Sequence, residues 1–367
     1  MKKHNTIAIS RLERQQLSGT EFTTPQEIVA WMGAMQAQDF GMAKWAIGAR
    51  LPGSTDSLIE AAINLGKIIR THVMRPTWHF VAAEDIYWML DLTAANVKAA
   101  QSSRDRQLEL TEEIYTRSNR KIENALGREG YLTRKELLRE LQESGFAIDQ
   151  NRSAHLLARA EAEKIICSGP IIKGKPSYAL LSKMVPKKVN LSKEEALAML
   201  ARRYFSSHGP ATLQDFSWWS GLAAADARHA IELVSGEINS ESIDGRTYHT
   251  ARNHKTGRPA GEKIHLLPTY DEYLVAYADR SASVDPKYNQ HMNEISNRGM
   301  FWPIIVVNGQ VEGIWKRSIK GDTIRINLFP FTDLNQAVIS QVKQAAERYG
   351  SFFIKRVEVT LNTLPEK

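Results

Sequence analysis

Apolar residues recur at helical spacing in "TRKELLRELQESG", where Leu137, Leu138 and Leu141 share one side. Thr133 stands at the N-cap and Glu136 follows three residues later, the signature of a capping box. "DQNRSAHLLARAEAEK" predicts a second helix, with Leu156, Leu157 and Ala160 as its stripe. The period then shortens to that of two strands, "IICSGPIIKGKPSYALL", around a Gly/Pro/Lys turn. Helix, turn, helix and hairpin is the order of a winged helix-turn-helix unit. The order recurs from Leu191. "LSKEEALAMLARRYFSSHG" is a leading helix with Ser192 and Glu195 at its start, and "PATLQDFSWWSG" is a helix capped by Thr212. "LAAADARHAIELVSG" continues the repeat, and "EINSESIDGRTYHT" is a hairpin with an Asp-Gly turn at Asp244.

The N-terminal part reads as a third, divergent copy. "TTPQEIVAWMGAMQAQ" and "GMAKWAIGARL" predict its first two helices, "DSLIEAAINLG" another, and "KIIRTHVMRPTWHFV" two strands. From Glu262 the pattern becomes β-rich, with Asn308-Gly309 as a hairpin turn, then a helix, "NQAVISQVKQAAERYG", and a last strand. The expected fold class is α+β: tandem winged helix-turn-helix units followed by a C-terminal β-barrel-like domain. The expected division is a divergent unit over 1–90, a helical connector over 91–127, units over 128–190 and 191–261, and the barrel-like domain over 262–367.

Charge adds a partner to this picture. Lys plus Arg number 48 and Asp plus Glu 41, a formal +7. From Lys164 to Asn190 there are six lysines and no acidic residue. Lys173 and Lys175 lie at the first wing, Arg246 and Arg258 at the second and its exit, and Lys316 and Arg317 after the Asn308 turn. Cations on hairpins are where winged proteins meet phosphates, so double-stranded DNA is the expected partner. No apolar run reaches membrane-spanning length and no signal-peptide core follows Met1, so a cytoplasmic, nucleoid-associated protein is expected. The single cysteine, Cys167, sits among apolar neighbours and reads as a buried strand thiol.

Several chemistries have no motif here. A Walker loop, a zinc pattern and a Gly-x-Ser-x-Gly elbow are missing, so no metal or cofactor is expected. Asp271 and Glu272 in "PTYDEY" are a paired-carboxylate candidate. Arg75, Thr77 and His79 alternate in "RPTWHF" and would share one face of a strand. Gln36 and Gln38 stand in "MQAQD" at the end of an apolar helix. If both were helical they would point about 200° apart, so they converge only if the chain leaves the helix there. Two converging side-chain carbonyls hold a water without activating it, because an amide is a poor base. That suits a leaving group that departs almost unaided, such as an N7-alkylated purine, where positioning and electrostatics do most of the work.

These residues resemble the AlkZ/YcaQ-like DNA glycosylase family, through "MQAQD", "VMRPTWHFVAAEDI", "LLPTYDEYLVAYADRS" and "VEGIWKRS". The resemblance implies three winged-helix units and a C-terminal β-barrel around a DNA channel. It also implies excision of N7-alkylated purines, extending to bulky adducts or interstrand crosslinks. Gln36 and Gln38 then position the hydrolytic water, with Arg75, Thr77, His79 and Asp271 as possible supporting residues. The hairpin at Asn308 probes the duplex, and Lys173, Lys175, Arg246, Arg258, Arg280, Lys316 and Arg317 contact DNA. The absence of an evident lysine nucleophile implies a monofunctional enzyme, and a channel within one chain implies a monomer. The second position of the motif is Gln here, whereas the YcaQ-type branch has Asp. The competing reading is a non-catalytic winged-helix transcriptional regulator.

Overall fold

The computed structural model describes residues 2–149, 151–186, 190–252, 264–288 and 301–363. Helix α1 (Lys2–Arg14) precedes three segments built alike. The first is α2 (Pro25–Met32), β1 (Ala34–Gln36), α3 (Phe40–Gly48), α4 (Asp56–Asn64), β2 (Ile68–His72) and β3 (Trp78–Ala82). After α5 (Ile86–Gln107) comes the second: α6 (Glu112–Glu129), β4 (Tyr131–Thr133), α7 (Arg134–Glu143), α8 (Arg152–Ala162), β5 (Ile166–Ile172) and β6 (Lys175–Leu180). A turn of helix, α9 (Leu181–Met184), leads to the third: α10 (Lys193–Ser207), α11 (Leu213–Ser220), α12 (Ala224–Leu233), β7 (Ile238–Ile243) and β8 (Arg246–Ala251).

The sheets share one order. The first is β1-β3-β2 and the second β4-β6-β5. In the third, Ala211 bridges His249 of β8, which pairs with β7. In each segment the strand residue between the first two helices therefore lies beside the last strand of the hairpin. Local sequence explains the helix starts. The capping boxes at Thr133/Glu136, Ser192/Glu195 and Thr212/Asp215 all form. Asp244-Gly245 and Asn308-Gly309 both turn with positive φ, as two-residue hairpins require. Helix α6 shares its core with α7 and α8 through Tyr115, Ile122 and Leu126, so the middle segment begins before Gly130.

The C-terminal part comprises β9 (Ile264–Leu267), the short α13 (Glu272–Val275), β10 (Ile304–Val307), β11 (Gln310–Lys320), β12 (Thr323–Pro330), α14 (Gln336–Phe353) and β13 (Arg356–Leu361). Its sheet runs β13-β12-β11-β10-β9 and is open, not a closed barrel. The reason is the covering of its inner face. Tyr349 and Phe352 of α14 and Trp45 of α3 pack in one core with Trp315, Ile326 and Leu328, so the sheet buries that face without closing on itself. The β1-β3-β2 sheet lies between two cores. Met35, Ile68 and Phe80 enter this one, and Ala34, Ile69 and Val81 enter a second with Phe216, Trp219 and Tyr277. Cys167 is buried there too, as its neighbours predict.

Arg50 and Asp271 tie the two ends of the chain together. Both are buried, and the guanidinium donates to both carboxylate oxygens at 2.9 and 2.8 Å. Removing one partner strands the other charge, so Asp271→Ala is expected to cost about 3–5 kcal/mol of stability in urea unfolding. The double variant Arg50→Met/Asp271→Leu is expected to lose less. Equal losses would show that packing, not the charge pair, sets the cost.

Candidate active site

Helix α2 stops before the two glutamines. Gly33 adopts φ 76°, a left-handed conformation that favours glycine, while a Cβ there would make only ordinary contact with Trp219 at 3.4 Å and Arg203 at 3.5 Å. The chain then runs extended, with Gln36 opposite His79 and the Ala37 N–H donating to the Trp78 carbonyl at 2.7 Å. The expected helix through Gln38 is thus replaced by a strand. Gln36 is the last residue of that strand and half-buried, Ala37 is fully buried, and Gln38 lies exposed in the bend beyond it.

The ladder ends at this point and side chains take over. The Trp78 N–H donates to Gln38 Oε1 at 3.4 Å, and Arg70 Nε donates to the Ala37 carbonyl at 2.9 Å. Arg70 also lies over the Trp78 ring, 4.1 Å from its centroid. Arg75 Nη2 donates to Gln36 Oε1 at 3.3 Å. A guanidinium and a backbone N–H only donate, so both amides must turn their oxygens toward them. Each oxygen keeps a second lone pair. Asp39, next in sequence, caps α3 by accepting from Met42 N at 3.0 Å.

Arg75 and Thr77 do not alternate with His79 on a strand, as their spacing suggested. β3 begins at Trp78, and Arg75 and Thr77 lie in the connection before it. That connection is seated on Gly221, where any Cβ would collide with the Met74 carbonyl oxygen. Arg75 nevertheless reaches Gln36 from there. His79 is buried, and its Nδ1 donates to the Thr77 carbonyl at 2.9 Å. Burial, then the charge of Arg75, holds its pKa well below the ordinary histidine value, so the ring is neutral.

Of the acidic pair, the structure separates the two roles. Asp271 is committed to Arg50. Glu272 is the one that reaches the glutamines: its Oε1 accepts from the Gln36 N–H at 2.7 Å and its Oε2 from the Trp219 indole at 3.1 Å. The adjacency of two acids marked the place but not which one faces the strand. His208 Nε2 lies 3.6 Å from Glu272, and burial keeps this ring's pKa low although the carboxylate raises it.

Two clefts flank the Gln38–Phe40 stretch. One, of 630 Å³, is lined by Gln38 and Asp39 with Tyr270, Trp302, Lys316 and Arg317. The other, of 1110 Å³, is lined by Phe40, Arg70 and Trp78 with Arg134, Lys173 and Lys175. Lys316 and Arg317 thus share a cleft with Gln38, Lys173 and Lys175 line the other cleft, and Gln36 lines neither. The others differ. Arg246 is paired with Asp279. Arg280 is half-buried, donating to the Leu274 carbonyl at 3.0 Å beside Phe301. Asn308 is exposed at its turn, whereas Gly309 beside it packs against Ala8 of α1 and accepts from the Tyr273 hydroxyl at 2.7 Å. Arg258 lies outside the described residues. Among the described residues no group of three or more His, Cys, Asp or Glu could hold a metal ion, and no helix is long and apolar enough to cross a membrane.

A family model described as "DNA glycosylase AlkZ-like" matches residues 29–352. The solved structure of Streptomyces sahachiroi DNA glycosylase AlkZ superposes with a TM-score of 0.80, covering 98% of this chain and 99% of that one. Identity with it is 19%, so this likeness is one of fold. No curated protein matches the chain.

His79 and His208 are both buried with lowered pKa values. Unfolded, each ring protonates near the usual value of about 6.5, so below that pH the unfolded chain binds more protons and stability falls. The expected slope is up to ~1.4 kcal/mol per pH unit for each ring. His79→Gln should remove about half of it between roughly pH 6 and 5 in denaturant titrations. An unchanged slope would mean that His79 protonates without unfolding.

Proposed function

The chain belongs to the AlkZ-like DNA glycosylase family, and on that premise we propose that it hydrolyses the N-glycosidic bond of N7-alkylated purines in duplex DNA. The observation that carries this reading is the exit from helix to strand at Gly33, after which the side-chain oxygens of Gln36 and Gln38 each accept one hydrogen bond and keep a second lone pair for a water. A water accepted by both would face C1′ of a nucleotide lying between the clefts. As the bond from C1′ to the purine breaks, the base takes the electron pair and leaves neutral, because alkylation had made it cationic. The sugar gains oxocarbenium character and the held water adds to it. Its proton passes to solvent after the bond to C1′ has formed, so no strong base is required, and positioning supplies most of the rate. The product is a free base and an abasic site, with no covalent step to a lysine.

We read the three segments that share one sheet order as winged-helix units, with α5 joining the first to the second and the open sheet as the C-terminal domain. Lys173 and Lys175 on one side of Gln38, and Lys316 and Arg317 on the other, fit phosphates of a duplex laid across the motif by a single chain. The open clefts leave room for bulky adducts. The regulator reading needs a helix free to enter a groove. In the second unit α8 is mostly buried, with Leu156, Leu157, Ala158, Ala160 and Glu161 all inside. In the third, α12 offers Asp226 and Glu232 beside its basic residues, and Asp226 is paired with Lys193. Neither suits a polyanion.

Wild-type protein is expected to release 7-methylguanine from a duplex carrying one such lesion. Gln36→Ala and Gln38→Ala should each slow release on the order of 10²-fold with duplex affinity within about twofold of wild type. Equal rates would move the chemistry away from the pair, and tight binding with no release by wild type would favour the regulator. Lys173→Ala/Lys175→Ala should weaken binding to all duplexes alike and lower the slope of log Kd against log salt by about 1–2. An unaltered slope would place the phosphates elsewhere.

A further inference from the structure

Glu272 is a buried carboxylate that reaches the motif from the far part of the chain. It is 1% exposed and sits in the first turn of the short α13, immediately after Asp271, which Arg50 fixes with two bonds. From this anchored point its side chain crosses to β1, 236 residues away in sequence, and accepts the Gln36 N–H. Its second oxygen holds Trp219, the ring that packs against Gly33 where the strand begins. Arg75, which holds the Gln36 side chain, feels the Glu272 charge as its main stabilising influence against burial. His208, at 3.6 Å, makes no hydrogen bond to neutralise the carboxylate.

Resting on the glycosylase reading above, we propose that Glu272 is a positioning residue of this reaction: it fixes the Gln36 main chain and places a buried negative charge behind the motif, opposite the sugar. Two consequences follow from this placement. The carboxylate sets the direction in which Gln36 presents its carbonyl. It also balances Arg75, whose unopposed charge beside C1′ would resist the positive charge that grows there as the base departs. A neutral amide in place of the carboxylate keeps an acceptor for Gln36 but removes this balance. It also sets an amide N–H₂ against the Trp219 indole N–H, which Trp219→Phe relieves.

The test compares wild type, Glu272→Gln and Glu272→Gln/Trp219→Phe in single-turnover release of 7-methylguanine, with duplex Kd and melting temperature measured beside it. The expected result is a rate lower by about 10–50-fold in both variants, with Kd within about twofold and the folded fraction unchanged at the assay temperature. Wild-type rates in the double variant would overturn the proposal. So would a loss of rate that only follows a loss of folded protein or of affinity, since that is the signature of a structural role. An active wild type beside unaffected variants sinks this proposal alone, whereas a wild type that releases no base sinks the glycosylase reading and this proposal with it.

Discussion

The main-chain N–H of Gln36 is the point on which the site depends. It lies where a strand ends between two cores, a place where an unpaired backbone donor is costly. No strand supplies its partner. A carboxylate from the far end of the chain does, at 2.7 Å. That carboxylate is held in turn by the neighbouring Asp271, which Arg50 grips, and Arg50 also donates to Gln15 at 2.8 Å. Gln15 reaches Tyr277 at 3.0 Å, in the core that covers the other face of the same sheet. The motif is therefore set by an internal polar network that joins α1, α3, α13 and the third segment. Several of its members stand in the turns that follow these helices, but Gln15, Arg50, Asp271 and Glu272 are all buried.

How much of this was legible in the sequence depended on distance along the chain. Capping boxes at Thr133 and Ser192, the cap at Thr212 and the turns at Asp244 and Asn308 are local signals, and all formed as read. The helix through Gln38 was misread because one residue decided it. "VAWMGAMQAQ" keeps an apolar helical rhythm, and only Gly33 with its positive φ breaks it. The alternation of Arg75, Thr77 and His79 was real in sequence, but Pro76 and the seat on Gly221 hold the first two outside the strand. Strand content in the C-terminal part was evident. Its closure was not, because whether a sheet curls shut or takes a helix on its face is settled by α14 and by Trp45 from another segment. Asp271 and Glu272 stood out as a pair, and both are buried. Nothing in "PTYDEY" tells which of them reaches Gln36, because Arg50, which claims Asp271, lies 221 residues away.

The same geometry explains how a repeat can acquire chemistry. In the second and third segments the strand residue before the second helix leads at once to its cap, Thr133 and Thr212. In the first, Ala37 and Gln38 intervene between the strand and the cap at Asp39. That short extension carries Gln38 into the open, between two basic clefts, while Gln36 stays half-buried against Arg75. One amide is held by Arg75 and the other lines the cleft that Lys316 and Arg317 share. We take this junction, used elsewhere in the chain only to start a helix, as the place where water is presented.

The claim is tested most directly by a crystal structure of the protein with a duplex carrying 2′-fluoro-7-methyl-deoxyguanosine, whose fluorine slows loss of the base. The account predicts one ordered water within hydrogen-bonding distance of both Gln36 Oε1 and Gln38 Oε1 and in line with C1′. A lesion bound away from the Gln38–Phe40 stretch, or a C1′ facing this pair with no water between them, would contradict it.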